Sequence, residues 1–356
     1  MSNTTSTSNG PVTSGENGAD GGQRRPSMAD IARRAGVSSQ TVSRVANGSP
    51  QVVEATRLRV LAAMEELGYR PNSAARALKR GDFRTIGVIM FNLSTTGNMR
   101  TLEAIAASSA AAGYAITLLP VAAPTRGQVE GAFTRLGELA VDAVIAVMEV
   151  HLLDSTSMVL PPSAHVVVVD SDADNSYTVV DTDQADGAGR AVNHLLELGH
   201  RTVHHVAGAE ESYAAQRRMS AWRETLRRHG REVPAPLHGD WSADSGYAAG
   251  VRLAQDEGCT AVFVANDQMA LGVLRALHEA GRHVPNEVSV VGFDNIPETS
   301  AYSPPLTTVH QDFAEVGRRC VEAAISQLHG RDTQHGRDLV PTSLVVRQST
   351  APPRGR

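Results

Sequence analysis

Between Ser27 and Asn47, apolar side chains recur at helical spacing in two short runs separated by a glycine. Ile31, Ala32 and Ala35 form the first stripe, and Val42 and Val45 the second. Ser27, with Asp30 three residues on, has the form of a capping box, in which the hydroxyl accepts from an amide of the first turn. Gly36 supplies the backbone freedom that ends this helix in a sharp turn, Val37 plugs the corner, and Ser38 caps the next helix. The outward side of that second helix carries Ser39, Gln40, Ser43 and Arg44, with no acid among them. Two short helices joined by a glycine turn predict a helix-turn-helix, a motif whose second helix fits a major groove. The competing reading is an ordinary corner between two helices of a helical domain. A third helix is expected over residues 54–67, closing a small core through Leu58, Leu61, Met64 and Leu67 and stopping at Gly68.

Tyr69-Arg70-Pro71 then breaks the helical pattern. Asn72 opens a short segment of three alanines, one bulky apolar residue (Leu78) and several cations. It is too short to be helical alone, which suits either a plain linker or a hinge helix that orders on DNA and pushes Leu78 between base steps of the minor groove. From Thr85 the texture changes. Short apolar runs at 85–90, 115–119, 143–147 and 166–169 alternate with amphipathic helical stretches, and a second series follows at 203–207, 261–264 and 289–293. Such alternation predicts an α/β fold of parallel sheets covered on both faces, in two lobes with a cleft between them. Loops at the strand C-termini face such a cleft, and several here end in polar residues, among them Asp170, Asn266 and Asp294. No glycine-rich phosphate loop follows any strand, which argues against a nucleotide site.

Charge sharpens the division. The 356 residues carry a net −5, yet residues 24–84 hold 12 Arg and Lys against five Asp and Glu. A basic head on an acidic body is the footprint of a polyanion-binding module attached to something else. Lys79 is the sole lysine, so the sign asymmetry matters more than the arginine count. Residues 1–24 contain almost nothing apolar and are expected to be a disordered tail. No run approaches a membrane span and no secretory signal precedes the helices, which together with only two cysteines, Cys259 and Cys320, points to a cytoplasmic protein. The thirteen histidines show no ligand spacing, so neither a metal nor a cofactor is expected.

The motifs Ala35-Gly36-Val37-Ser38-Ser39-Gln40-Thr41-Val42-Ser43-Arg44-Val45 and Gly68-Tyr69-Arg70-Pro71-Asn72 resemble the headpiece of the lactose-repressor family of bacterial transcription regulators. The resemblance continues in Gly239-Asp240-Trp241-Ser242-Ala243, in Val264-Ala265-Asn266-Asp267-Gln268-Met269-Ala270-Leu271-Gly272, and in Pro304-Pro305-Leu306-Thr307-Thr308 followed by Gln311-Asp312-Phe313. It implies a headpiece over residues 25–71, a hinge helix and linker over 72–84, a two-lobed periplasmic-binding-protein-like body over 85–347, and a tail over 348–356. It also implies a homodimer on near-palindromic operator DNA. Ser39, Gln40 and Arg44 match the base-reading positions, where Gln pairs with adenine and Arg with guanine. Ser38, Thr41, Ser43 and Asn47 match phosphate-holding positions, and Leu78 matches the leucine of the hinge helix. A lactose-responsive member of the family has a tyrosine where this chain has Ser39, so its operator sequence does not carry over.

By the same matching, Asp170, Arg218, Trp241, Asn266, Asp294, Gln311 and Phe313 line an effector site. Vicinal hydroxyls need donors and acceptors together, and a guanidinium, an amide and carboxylates supply both, while Trp241 offers a flat face to a pyranose. The implied function is a repressor of sugar utilisation released by a β-galactoside or another β-glycoside. The alternatives are a transport-type sugar-binding protein and a regulator whose ligand is a co-repressor. A glycosidase would need one carboxyl of raised pKa, whereas Arg and Asn neighbours are expected to keep both carboxylates ionised, so no enzyme is expected. The first-lobe segment Leu93-Ser94-Thr95-Thr96-Gly97-Asn98-Met99 is less apolar than in the lactose-responsive member, and Val147 replaces an asparagine, which leaves the effector's identity open. The C-terminal residues cannot form a leucine-heptad coiled coil, in keeping with a dimer.

Overall fold

The computed structural model describes residues 26–69, 82–121, 126–147, 165–169, 177–330 and 336–354. The expected tail over residues 1–24, the hinge segment with Leu78, and Asp170 lie outside the described residues, apart from Asp82, Phe83 and Arg84 at the hinge's end. The chain forms two compact units, residues 1–79 and 80–356.

In the first unit, α1 (Met28–Ala35), α2 (Ser39–Ala46) and α3 (Glu54–Glu66) enclose a core of Ile31, Ala32, Ala35, Val42, Val45, Val60, Ala63 and Met64. The predicted caps form. Ser27 Oγ accepts from the Asp30 amide at 3.3 Å while the Asp30 carboxylate accepts from the Ser27 amide at 2.9 Å, and Gly36 turns the chain at φ +65°. Ser38 Oγ accepts from the Thr41 amide at 3.2 Å and starts α2. The third helix departs from expectation. Its inward stripe is Val60, Ala63 and Met64 with Leu67 half-buried, whereas Leu58 and Leu61 are 59% and 47% exposed. Both stripes contain Met64 and Leu67 at helical spacing; the short side chains of Val60 and Ala63 fit against α1 and α2, whereas apolar bulk alone favours the leucines.

The second unit holds two six-stranded sheets. The first is ordered β11-β5-β4-β3-β1-β2 and is parallel throughout, from β1 (Thr85–Phe91), β2 (Ala115–Val121), β3 (Ala143–Val147), β4 (His165–Val169), β5 (Thr178–Thr182) and β11 (Gly336–Val340). Its faces are covered by α4 (Thr96–Ala111) and α10 (Phe313–Leu328) on one side and α5 (Arg126–Glu138) on the other. β1 is buried on both faces: Ile86, Val88 and Met90 meet α4 and α10, and Ile89 and Phe91 meet α5.

The second sheet is ordered β12-β10-β9-β8-β6-β7, from β6 (His204–Ala207), β7 (Leu237–His238), β8 (Ala261–Val264), β9 (Ser289–Asp294), β10 (Thr307–His310) and the antiparallel β12 (Ser343–Val345). It is flanked by α6 (Gln184–Glu197) and α7 (Tyr213–Arg228) on one face and by α8 (Ala243–Ala254) and α9 (Asp267–Glu279) on the other. Trp222 is buried there, its indole N–H donating to the Val203 carbonyl at 2.9 Å. The chain passes between the sheets after β5, after β10 and after β11, so three strands run through one hinge. Among the described residues no helix is long and apolar enough to cross a membrane.

The inward face of α3 is open to test. Val60→Ala is expected to cost about 1–3 kcal/mol of headpiece stability and Leu58→Ala less than about 0.5 kcal/mol, read from urea denaturation of each variant.

Candidate functional site

The headpiece residues singled out from sequence lie on and around α2. Ser39 and Gln40 are exposed on its first turn and Arg44 on its last, while Thr41 and Ser43 are half-buried. Ser38 is the N-cap, its hydroxyl 3.0 Å from Thr41 Oγ1, and Asn47 is the C-cap, its amide donating to Ser43 Oγ at 3.3 Å. Three other headpiece cations are engaged: Arg33 with Asp30 at 3.2 Å, Arg34 with Glu66 at 2.7 Å and Arg57 with Glu54 at 3.4 Å. Arg44 instead projects from a helix that contains no acid. Ser39, Gln40 and Arg44 therefore form one polar, acid-free face with the positive end of the helix at Ser38.

In the second unit a cleft opens at the C-terminal ends of the strands, walled by residues of both sheets. Arg218, Trp241, Asn266, Asp294, Gln311 and Phe313 all line it, on α7, after β7, after β8, at the end of β9, after β10 and at the start of α10. The first lobe contributes Thr95, Thr96, Asn98, Thr101 and Val147.

Arg218 is the centre of the floor. Its side chain is 5% exposed, and a charge so deep needs partners on every N–H. Nε donates to Gln184 Oε1 at 2.7 Å and Nη1 donates to the Ala265 carbonyl. Asp294 Oδ1 lies 3.8 Å from Nη1. The guanidinium carbon sits 3.8 Å from the ring centroid of Phe293 and 5.6 Å from that of Trp241. Gln184 then passes the network on: its amide donates to Gln311 Oε1 at 3.3 Å, and Gln311 donates to Asp294 Oδ1 at 2.6 Å. The result is a closed ring of Arg218, Gln184, Gln311 and Asp294, all buried. Gln184 escaped sequence reasoning; its only local signal is a polar residue at the start of a helix directly after a buried strand. Asp181, at the end of β5, also reaches the cleft, its carboxylate 3.8 and 3.9 Å from Arg217 and Arg337.

Trp241 holds a left-handed backbone, φ +75°, a conformation that costs an L-residue energy. Asn266 secures it by donating to the Trp241 carbonyl at 3.0 Å, while the Asn266 oxygen caps α9 at the Met269 amide, 2.9 Å away. Gly208 makes room for the ring, since a Cβ there would meet the indole at 2.2 Å.

The carboxyl groups correct one expectation. Burial outweighs the Arg218 charge and the Gln311 bond, and pushes Asp294 up to about 6, rather than leaving it firmly ionised. Asp267 is raised too, first by burial and then by the charge of Asp294. Asp267 is no partner for a cleft ligand. It is fully buried, with Oδ1 accepting from Thr308 at 2.6 Å and Oδ2 from the Ile296 amide at 3.0 Å. It buttresses the loop after β9 that carries Asp294. Among the described residues no cluster of His, Cys, Asp and Glu is arranged to hold a metal ion.

Because folding raises the Asp294 pKa above its unfolded value near 3.8, the folded chain holds that proton more tightly between about pH 4 and 6. Stability from this group therefore falls as pH rises through that window. Relative to Asp294→Asn, the wild type is expected to lose about 2 kcal/mol between pH 4 and 7, measured by urea denaturation at each pH.

Comparison with known proteins agrees with both units. Residues 27–72 match the model of "Bacterial regulatory proteins, lacI family", and residues 192–350 match that of a periplasmic binding protein-like domain. The chain is 34% identical to the lactose operon repressor of Escherichia coli (strain K12) over 330 residues, 91% of this chain and 90% of that protein. It is 33% identical to the HTH-type transcriptional regulator CelR of Thermobifida fusca over 344 residues, 92% of this chain and 99% of that one. Its structure is similar to that of a lac repressor dimer bound to operator and the anti-inducer ONPF, with a TM-score of 0.83 and 31% identity, covering 92% of this chain and all of the other. These relatives are regulators, not enzymes. The acid-free recognition face, the two parallel sheets joined by three crossings and the extent of this similarity place the chain in the lacI family of bacterial regulatory proteins, as a DNA-binding transcriptional regulator with a ligand-binding body.

Proposed function

We propose that the chain is a repressor of a sugar-utilisation operon that leaves its operator when a small saccharide occupies the cleft. One observation carries the reading: a buried guanidinium, two carboxamides and a carboxylate converge on one cleft floor beside an indole face. Polyols are recognised by such alternation of donors and acceptors at low conformational cost, with the indole against the C–H face of the ring. Arg218, Trp241, Asn266, Asp294, Gln311 and Phe313 are the effector residues in this reading, together with Asp170. The solved complex of CelR with cellobiose, 29% identical to this chain with a TM-score of 0.67, supports a β-linked saccharide as the effector class. The dimer bound to operator in the related lac repressor supports a dimer here.

In the headpiece, Ser39, Gln40 and Arg44 read bases, and Ser38, Thr41, Ser43 and Asn47 hold phosphates. The hinge residue Leu78 wedges into the minor groove. The effector shifts the equilibrium only as far as it favours the lobe arrangement that releases DNA. The chain functions in the cytoplasm.

Two substitutions separate the halves of this proposal in a gel shift on the chain's own upstream DNA titrated with a panel of sugars. Arg218→Ala is expected to abolish the sugar response while operator affinity stays near wild type; loss of both together counts against the assignment. Gln40→Ala is expected to cost about 1–3 kcal/mol of operator affinity and to relax sequence preference, and an unchanged binding profile would remove Gln40 from the reading.

A further inference from the structure

A second cluster of charges joins the two lobes, apart from the Arg218 ring. On the first lobe, β11 runs parallel to β5 with Arg337 registered against Val179. Asp181 is two residues on from Val179, so the pleat turns Arg337 and Asp181 to the same face of the sheet. On the second lobe, Tyr213 and Arg217 stand one turn apart at the start of α7, on one side of that helix. These four side chains meet. Arg337 Nη1 donates to the Tyr213 hydroxyl at 3.0 Å, and Arg217 Nη1 donates to the same oxygen at 3.2 Å. Asp181 Oδ2 lies 3.8 Å from Arg217 Nη1 and 3.9 Å from Arg337 Nη1. Both guanidinium carbons are also close to the Tyr213 ring, 5.5 and 5.7 Å from its centroid. Each arginine is thus tied to one group of its own lobe and to one group of the other.

Asp181 makes the arrangement attractive. Two guanidinium groups so close repel each other, and one buried carboxylate within 4.0 Å of both reverses the sign. Asp181 and Tyr213 are buried and the arginines are only 22% and 26% exposed, so solvent screens the cluster in part. Its place in the fold gives it leverage. The chain leaves the first sheet after β5 and again after β11, so the cluster sits beside two of the three crossings. A rotation of one lobe against the other moves Tyr213 and Arg217 relative to Asp181 and Arg337, and lengthening a bond of 3.0 Å by roughly 1 Å breaks it. Of these four residues only Asp181 lines the cleft. We infer that Asp181, Tyr213, Arg217 and Arg337 form an ionic clasp that sets the balance between lobe arrangements and favours the one seen here. It favours that arrangement by as much as its bonds differ between the two. Arg337 and Tyr213 therefore tune the effector response without touching the effector. This inference rests on the reading that lobe arrangement governs release from the operator.

The test uses the full-length protein and the variants Arg337→Gln, Arg337→Lys and Tyr213→Phe, which leave Asp181 and the cleft floor intact. Operator affinity is read by gel shift on the chain's own upstream DNA, and sugar affinity by calorimetric titration of lactose and of cellobiose into the DNA-free protein. One equilibrium underlies both, so Arg337→Gln is expected to strengthen one affinity and weaken the other, at least one of them by about threefold. Tyr213→Phe is expected to move both in the same sense as Arg337→Gln. Arg337→Lys keeps the charge and a donor, and is expected to stay nearer wild type. A purely structural role would weaken both affinities together and lower the melting temperature. That result, or unchanged affinities in Arg337→Gln, overturns the clasp and leaves the saccharide reading standing. If neither sugar binds the wild type, the saccharide reading fails by itself and the operator arm decides the clasp. There, a shift of about threefold in Arg337→Gln at an unchanged melting temperature supports it, and no shift overturns it.

Discussion

A positive charge that is only 5% exposed constrains everything around it. Arg218 cannot shed its proton, so burial must be compensated by geometry. The compensation comes from four places in the sequence: the Gln184 side chain, the Ala265 carbonyl, the Asp294 carboxyl and the faces of Phe293 and Trp241. They lie at the start of α6 and at the ends of β7, β8 and β9, so the charge fixes how the loops at the top of the second sheet converge. Asp267 extends the same logic one layer down. Its carboxyl is filled by Thr308 and the Ile296 amide and presses on Gly292, where a Cβ would come within 2.3 Å of its oxygen. The loop holding Asp294 is thereby set from beneath.

The ring also sits at the crossings. Gln184 begins α6 just after the chain leaves the first sheet, and Gln311 follows β10 just before it returns. A ligand that contacts Gln311 therefore touches one of the three crossings directly and reaches a second through the Gln184–Gln311 bond. Gln268 and Thr96 add a second tie across the mouth of the cleft, one from each lobe.

Much of the fold was legible in the sequence because it rests on local physics. The Ser27 and Ser38 caps, the Gly36 turn and the alternation of apolar runs with amphipathic helices all concern residues within a few positions of one another. The family motifs then brought Arg218, Trp241, Asn266, Asp294, Gln311 and Phe313 to one cleft, where the structure also places them. What escaped depends on distance. Strands β11 and β12 are short, with an order that only the completed sheets define. The buried side of α3 depends on which helix packs against it, and Leu58 misled because its side chain carries more apolar area than that of Val60. Gln184 became visible only when Arg218 lay beside it, 34 residues on. The raised Asp294 pKa follows from burial, which no neighbour list in a sequence records.

In the proposed mechanism, cleft and headpiece share one equilibrium. Linkage makes this testable in a single comparison, because a ligand that weakens operator binding by some factor must itself bind the operator complex more weakly by the same factor. Titration of the effector into the free protein, and then into the protein saturated with its upstream DNA, measures that factor directly. Effector binding is expected to be weaker in the DNA complex, by a ratio equal to the loss of operator affinity seen at saturating effector. Identical effector affinities with and without DNA would contradict it.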